Sequence, residues 1–211
     1  MGEQFFVVLD TETGDLSPKD GDLLTLYAAM CDMDLKILDE LDLKLKPEGR
    51  LPNANAGALE VNGIDLKKHI EDPNTVTYAE GKRRLEAFLR KYLKKRGRYS
   101  NLILLGQNVG FDKRFIFEHL MTEEAWGSLV NYNDEDTKTA ALFLKRCGWL
   151  PKEVGTLGSM VEFFGIPKRE AHEAKGDVHM TIDVYKAMIS LMKSKKDGGN
   201  TQDLISLLEA E

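Results

Sequence analysis

The run Val7-Val8-Leu9-Asp10-Thr11-Glu12-Thr13-Gly14 constrains the chain more than any other stretch, because two carboxylates sit at the end of an apolar segment that reads as a buried strand. Strand side chains alternate between faces, so Asp10 and Glu12 point the same way. Like charges side by side next to a core cost free energy unless a cation lies between them, and oxygen-only ligands suit magnesium or manganese. Taken alone, the stretch fits a turn from Asp10 into Thr13-Gly14, with Glu12 solvated, better than it fits a metal site. Two acids further along the chain reverse that balance.

At 211 residues the chain is long enough to bury a full core as one domain with a small appendage. The hydrophobic fraction of 42% and charged fraction of 30% belong to an ordinary soluble protein, and the longest aliphatic run, Leu102-Ile103-Leu104-Leu105, is too short for a membrane span. The start has no basic segment or cleavage site, and Phe6 stands where a myristoylation signal has Ser or Thr. A soluble protein with no membrane partner is expected, cytoplasmic, with nucleoid or nucleus as the other compartments. Cys31 and Cys147 read as small buried hydrophobes in a reducing environment. The formal charge of −6 argues against a protein that wraps nucleic acid electrostatically, although two bound divalent cations would bring it to about −2. Basic residues gather at 82–84, 91–98 and 193–196, and a solvated helix face is the simplest reading of each cluster.

Residues 4–9 predict a first strand, and 23–30 and 35–45 predict two more, joined by a link short enough for a hairpin and completing an antiparallel meander. Residues 47–73 form a long connection rich in Asn, Gly and Pro, with a short helical piece around Ala58-Leu59-Glu60-Val61; connections of this length are often functional. Leu85, Phe88, Leu89, Tyr92 and Leu93 recur at helical spacing and predict an amphipathic helix over 77–96, stopped by Gly97. Leu102 to Leu105 reads as a strand buried on both faces in a parallel sheet, followed by a loop and a helix opened by Asp112. A carboxylate in a first helical turn is favoured by the helix dipole, and the end of a parallel strand is where α/β folds place their chemistry.

A last strand or extended segment over 129–137, helices over 139–147 and 156–164, and a polar loop over 168–176 precede a long helix opened by Asp177. In that loop His172 is placed to approach a metal site from solvent and take a proton from an attacking water. Interleaved strands and helices of this kind predict an α/β fold around a mixed sheet.

Asp10-Thr11-Glu12-Thr13-Gly14, then Asn108-Val109-Gly110-Phe111-Asp112, then His172 with Asp177 after four intervening residues, resembles in order and spacing the three motifs of the DEDDh branch of the DnaQ-like 3′-5′ exonucleases. Val61-Asn62-Gly63-Ile64, Asp136-Thr137 and the Phe-Gly-Ile that ends at Ile166 are weaker echoes, and the resemblance covers roughly residues 4–192. Each motif alone is common; three in order, each on the element it needs, form a specific signal. Gln107 and Asn62 stand where many members have His, which bears on substrate preference more than on catalysis. The branch that uses Tyr as base is excluded, because Glu173 occupies that place.

The resemblance implies a ribonuclease H-like fold, with a mixed five-stranded sheet flanked by helices, and hydrolysis of phosphodiester bonds from a 3′ end to nucleoside 5′-monophosphates with two divalent cations, Mg2+ or Mn2+. By that carry-over Asp10, Glu12 and Asp177 hold one metal, Asp10 bridges to a second with help from Asp112, and His172 is the general base. Metals about 3.5–4 Å apart stabilise both the attacking and the leaving oxygen. Thr11, Thr13 and Asn108 within the motifs, and Leu16 just past the first, are expected to contact substrate. The 168–176 loop is read as a mobile lid carrying Lys168, Arg169 and Lys175 toward phosphates.

The domain is expected over 1–194, with a linker and a short amphipathic segment over 195–211 carrying Leu204, Ile205, Leu207 and Leu208. That segment reads as a helix packing on the domain or on a second subunit in a homodimer. The alternative is a loose sliding-clamp or polymerase contact running from Gln202 to Leu208. Single-stranded nucleic acid or 3′ ends are the expected partner, DNA favoured over RNA. The rival functions are an inactive nucleic-acid-binding or polymerase-associated module of the same fold and a structure-selective endonuclease.

Overall fold

The structure, a computed structural model, describes residues 3–169 and 174–197, with side chains to residue 194. Its centre is β1 (Phe5–Thr13), whose residues alternate so that Phe5, Val7 and Leu9 enter one hydrophobic cluster and Phe6 and Val8 another. Continuous apolar character on both faces makes it an interior strand. β2 (Leu23–Cys31) pairs antiparallel with β1, and β3 (Ile37–Lys46) pairs antiparallel with β2 through a hairpin in which Lys36 O accepts from Asp32 N.

Two short helices fill the long connection: α1 (Ala56–Asn62), capped by the Asn55 side chain, and α2 (Leu66–Glu71), capped by Asp65. Gly63 ends α1 with φ +66°, a left-handed position that glycine adopts without strain. β4 (Thr75–Thr77) then runs parallel to β3 and leads into α3 (Tyr78–Tyr92). α3 stops short of the expected Arg96 because the Asn101 side chain accepts from the backbone N–H of Lys94 and of Lys95, drawing those residues out of the helix.

β5 (Leu102–Gly106) lies parallel to β1, followed by α4 (Val109–His119) and α5 (Glu123–Gly127). The expected last strand shrinks to β6 (Glu135–Asp136), because Leu129 and Val130 turn into the core beneath the sheet instead of pairing. α6 (Thr137–Arg146), α7 (Leu157–Phe163) and α8 (Ala174–Asp197) complete the described chain. α8 begins before Asp177 and continues through Asp197, so residues 195–197 of the expected linker segment are helical. Residues 198–211, with the amphipathic segment expected there, lie outside the described residues.

The sheet order is β4-β3-β2-β1-β5-β6, six strands where five were expected; the class is mixed α/β as read from the sequence. α3 and α4 cover one face through Leu85, Leu89, Phe115 and Ile116 against Val7, Leu9, Leu26 and Leu43. α8 covers the other through Val178 and Ile182 against Phe6, Val8, Tyr27 and Ala29. α6 and α7 pack on the outer side of α8 around Leu144, Met160, Val161, Met180 and Val184. Among the described residues no helix is long and apolar enough to cross a membrane.

Candidate active site

β1 outruns its neighbour β5: Val8 pairs with Leu105, and Asp10, Glu12 and Thr13 extend beyond, paired only with β2. Alternation places Asp10 and Glu12 on the α8 side, where the first turns of α8 bring in Asp177. Carboxylate oxygens of Asp10, Glu12 and Asp177 all lie within 4.8 Å of one another. Burial pushes the Asp10 carboxyl well above the usual range, with Asp112, Asp177 and Glu12 adding repulsion. Burial likewise drives Glu12 up to about 8, reinforced by Asp177 and Asp112. Two carboxyls that resist ionising beside a third acid form a site that a divalent cation would relieve, and an all-oxygen donor set fits magnesium or manganese.

Asp112 joins from the opposite layer. It sits in the first turn of α4, 3% exposed, and accepts a 2.7 Å hydrogen bond from the Thr11 hydroxyl. Burial pushes it up to about 7, the Thr11 bond pulling the other way. The structure therefore brings together all four predicted acids: three in one cluster and Asp112 in electrostatic contact with it.

Thr11 points to the α4 side of β1, opposite Asp10 and Glu12, and its hydroxyl donates to Asp112, while Thr11 and Thr13 both line the cleft beside Leu16. Thr13 also turns inward, donating to Asp15 O at 2.8 Å. Asn108 holds a left-handed φ of 65°; its side-chain oxygen accepts from Lys138 Nζ at 3.2 Å, and its N–H donates to Asp136 Oδ1 at 3.0 Å. It therefore shapes the loop that aims Asp112. Lys175 is exposed with its ammonium 5.7 Å from the Tyr27 ring centroid, and Tyr27 is the β2 partner of Asp10. His172 lies outside the described residues.

Leu16 is 80% exposed at the rim of a cleft of about 420 Å³ lined also by Glu12, Asp15, Asn55, Val61, Asn62 and Phe111. Asn55 and Asn62 build this cleft in addition to the residues that the motifs lead one to expect. Asn55 Nδ2 donates to Asp15, and buried Asn62 donates to Thr13 O at 3.2 Å. An Asn before a helical run is a capping signal, which gives Asn55 away, and Asn62 falls within the Val61-Asn62-Gly63-Ile64 echo read from the sequence. Gly14 lets the loops meet, since a Cβ there would fall 2.2 Å from Asn53 O. Beneath them Asp22, 1% exposed, is gripped by both guanidinium nitrogens of Arg50, the Tyr78 hydroxyl and the Asn53 N–H.

No family model matches the chain. It is similar to the PolC-type DNA polymerase III of Thermotoga petrophila, 28% identical over 188 residues, which are 89% of this chain and 12% of that protein. The corresponding Thermotoga maritima protein is 27% identical over 192 residues, again 12% of its length. Among solved structures, the zinc-bound complex of Escherichia coli exonuclease I with single-stranded DNA superposes with a TM-score of 0.70 at 20% identity, covering 98% of this chain and 45% of that one. The complex of E. coli exonuclease I with a dT13 oligonucleotide gives 0.70 and 20%, covering 96% and 46%. The chain thus spans about an eighth of the curated relatives and less than half of the solved structures. What the superposition and the sheet establish together is the fold: this chain has the ribonuclease H-like architecture of exonuclease I.

Proposed function

We propose that this chain is a metal-dependent 3′-5′ exonuclease of the DEDDh type, acting on single-stranded nucleic acid, DNA before RNA, and releasing nucleoside 5′-monophosphates. The observation that carries the reading is the convergence of Asp10, Glu12 and Asp177 within 4.8 Å at the end of β1. Asp10, Glu12 and Asp177 would hold one divalent cation, and Asp10 with Asp112 a second. Bound there, such cations supply positive charge at the scissile phosphate and lower the pKa of an attacking water. The remaining work falls to the chain's own groups. Thr11 keeps Asp112 oriented and biased toward its ionised form. Leu16, Val61 and Phe111 offer apolar surface to a terminal base, while Asn55 and Asp15 brace the rim. His172, five residues before Asp177, is the base that takes the water's proton. Exposed Lys175 is placed to meet a phosphate.

DNA is favoured because the similar proteins are DNA polymerases and a single-strand-DNA-bound exonuclease. An association with a polymerase, and a clamp contact through the segment from Gln202 to Leu208, belong to the same proposal. The test is digestion of 5′-labelled single-stranded DNA and RNA of one sequence with Mg2+ or Mn2+, then with EDTA, beside Asp177→Asn and His172→Ala. A metal-dependent ladder shortening from the 3′ end, lost in both variants, is expected. Oligonucleotide products would point to an endonuclease, and no cleavage by folded, metal-loaded protein would leave a binding module.

A further inference from the structure

The end of the sheet opposite the acids carries a second concentration of chemistry. Residues 93–101 lead into β5 and residues 128–133 follow α5, and hydrogen bonds stitch the two segments into one frame. Gly97 N donates to Ser128 O at 3.0 Å, Tyr132 N to Arg98 O at 3.1 Å, Ser100 Oγ to Leu129 O at 2.6 Å and Asn131 Nδ2 to Ser100 O at 2.6 Å. The frame presents Tyr99 and Tyr132 edge to face, centroids 5.4 Å apart and planes at 86°, with 57% and 48% of their surfaces exposed. The Arg98 guanidinium lies 4.2 Å from the Tyr132 centroid and 5.8 Å from that of Tyr99, and Lys95 Nζ lies 5.7 Å from Tyr99. Lys94, Lys95, Arg96 and Arg98 are at least partly exposed, and none forms an ion pair with a described residue.

Two aromatic rings about half exposed forgo burial of part of their apolar area, and four cations within five positions repel one another. A ligand that is anionic and aromatic at once relieves both costs. An acidic peptide would answer the cations but leave the rings without a stacking partner, whereas single-stranded nucleic acid offers phosphates to the cations and bases to the rings. We propose that Arg98, Tyr99 and Tyr132, with Lys94, Lys95 and Arg96, form a second, non-catalytic contact for single-stranded nucleic acid. Its ligand class rests on the nuclease reading, but its position does not coincide with the cleft. Phe5 pairs with Leu102 at this end of the sheet, and Asp10 and Glu12 lie five and seven residues further along β1, on the order of 20 Å away. A strand must therefore be long enough to occupy both places, and the platform adds affinity only to longer substrates.

The test is fluorescence anisotropy of 5′-labelled oligothymidylates of 4 and 20 nucleotides on the full chain in EDTA. Replacing both rings, Tyr99→Ala with Tyr132→Ala, is expected to weaken the 20-mer by about tenfold or more and leave the 4-mer unchanged, given the worth of base–aromatic stacking. Should that variant fold poorly, Lys95→Glu with Arg96→Glu changes exposed side chains only; it is expected to weaken the 20-mer alike and to flatten its salt dependence. Unchanged 20-mer affinity in folded variants, or equal loss for both lengths, overturns the proposal. Displacement of the 20-mer by polyglutamate as readily as by unlabelled oligothymidylate also overturns it, in favour of an acidic protein segment. Length-dependent binding without cleavage of either oligomer in Mg2+ would sink the nuclease reading and leave the platform standing; cleavage without length-dependent binding would do the reverse.

Discussion

Thr11 and Asp112 join the two layers of the molecule: a hydroxyl on the central strand donates at 2.7 Å to a carboxylate in the first turn of α4. A hydrogen bond to the ionised form holds a buried acid's pKa down, so its loss makes Asp112 harder to ionise. Thr11→Val is expected to move the acid limb of the pH–activity profile to higher pH and to raise the metal concentration needed for half activity. Thr11→Ser, which keeps the hydroxyl, should behave as the parent. A Val variant with an unmoved profile would mean that Asp112 is oriented by other groups.

The acid cluster makes a prediction about stability without metal. Glu12 is raised by burial to about 8, and Asp10 is raised in the same direction, so the folded state holds protons that the unfolded chain has released. A carboxyl raised on folding stabilises the fold fully below its unfolded pKa, near 4.5 for Glu12, and that contribution is lost as pH climbs through about 8. In EDTA the melting temperature is expected to fall between pH 5 and pH 8.5, at about 2–4 °C per kcal/mol for a chain of this size. Manganese should restore it most at the alkaline end. Equal melting curves with and without manganese at pH 8.5 would argue against a cation between these acids.

Asp22 lies on the underside of the cleft, 1% exposed with Arg50, Tyr78 and Asn53 around it. Asp22→Ala leaves the Tyr78 hydroxyl and the Asn53 N–H without their acceptor and unties the loop that carries Asn53 and Asn55, while half-exposed Arg50 turns to water. A loss of about 1–3 kcal/mol in urea unfolding is expected, as for buried donors left unpaired. Its hydrogen bonds hold the Asp22 carboxyl below its usual value against the cost of burial. Its stabilising contribution is thus complete at neutral pH, above the unfolded pKa, and disappears only as pH drops through the folded one.

Leu16 separates binding from folding. At 80% exposed it supports no core, so Leu16→Ala should leave the melting temperature within error. If its side chain covers the terminal base, KM for short oligonucleotides should rise roughly tenfold, the worth of one well-covered aliphatic group, with kcat little changed. An unchanged KM would remove Leu16 from the site.

The four acids were legible because metal chemistry demands particular residue types, and both alternation along a strand and the first turn of a helix are visible in spacing. The partners that hold them were harder to see. Thr11 and Thr13 read as substrate contacts from their place in the motif, and both line the cleft, but the bond from the Thr11 hydroxyl to Asp112, far along the chain, is not visible in spacing. The short strands β4 and β6 have no pattern of their own; three and two residues become strand because β3 and β5 offer free edges. The early end of α3 depends on Asn101, nine residues beyond Tyr92, whose side chain reaches back to the helix end. No window centred on the helix contains that information.

β1 holds its side chains to their two sides through pairing with β2 from Phe6 to Thr13, with an irregularity between Glu12 and Thr13. A slip of one residue would send Asp10 and Glu12 into the layer of α3 and α4 and bring Thr11 and Thr13 to face α8. The ladder with β2 is consequently part of the chemistry. It acts as a parity rule, admitting carboxylates at even positions to the metal side and reserving position 11 for the hydroxyl that steadies the far ligand. Single-residue insertions between Leu9 and Glu12 should be among the most damaging changes the chain can suffer, even where every side chain of the motif survives.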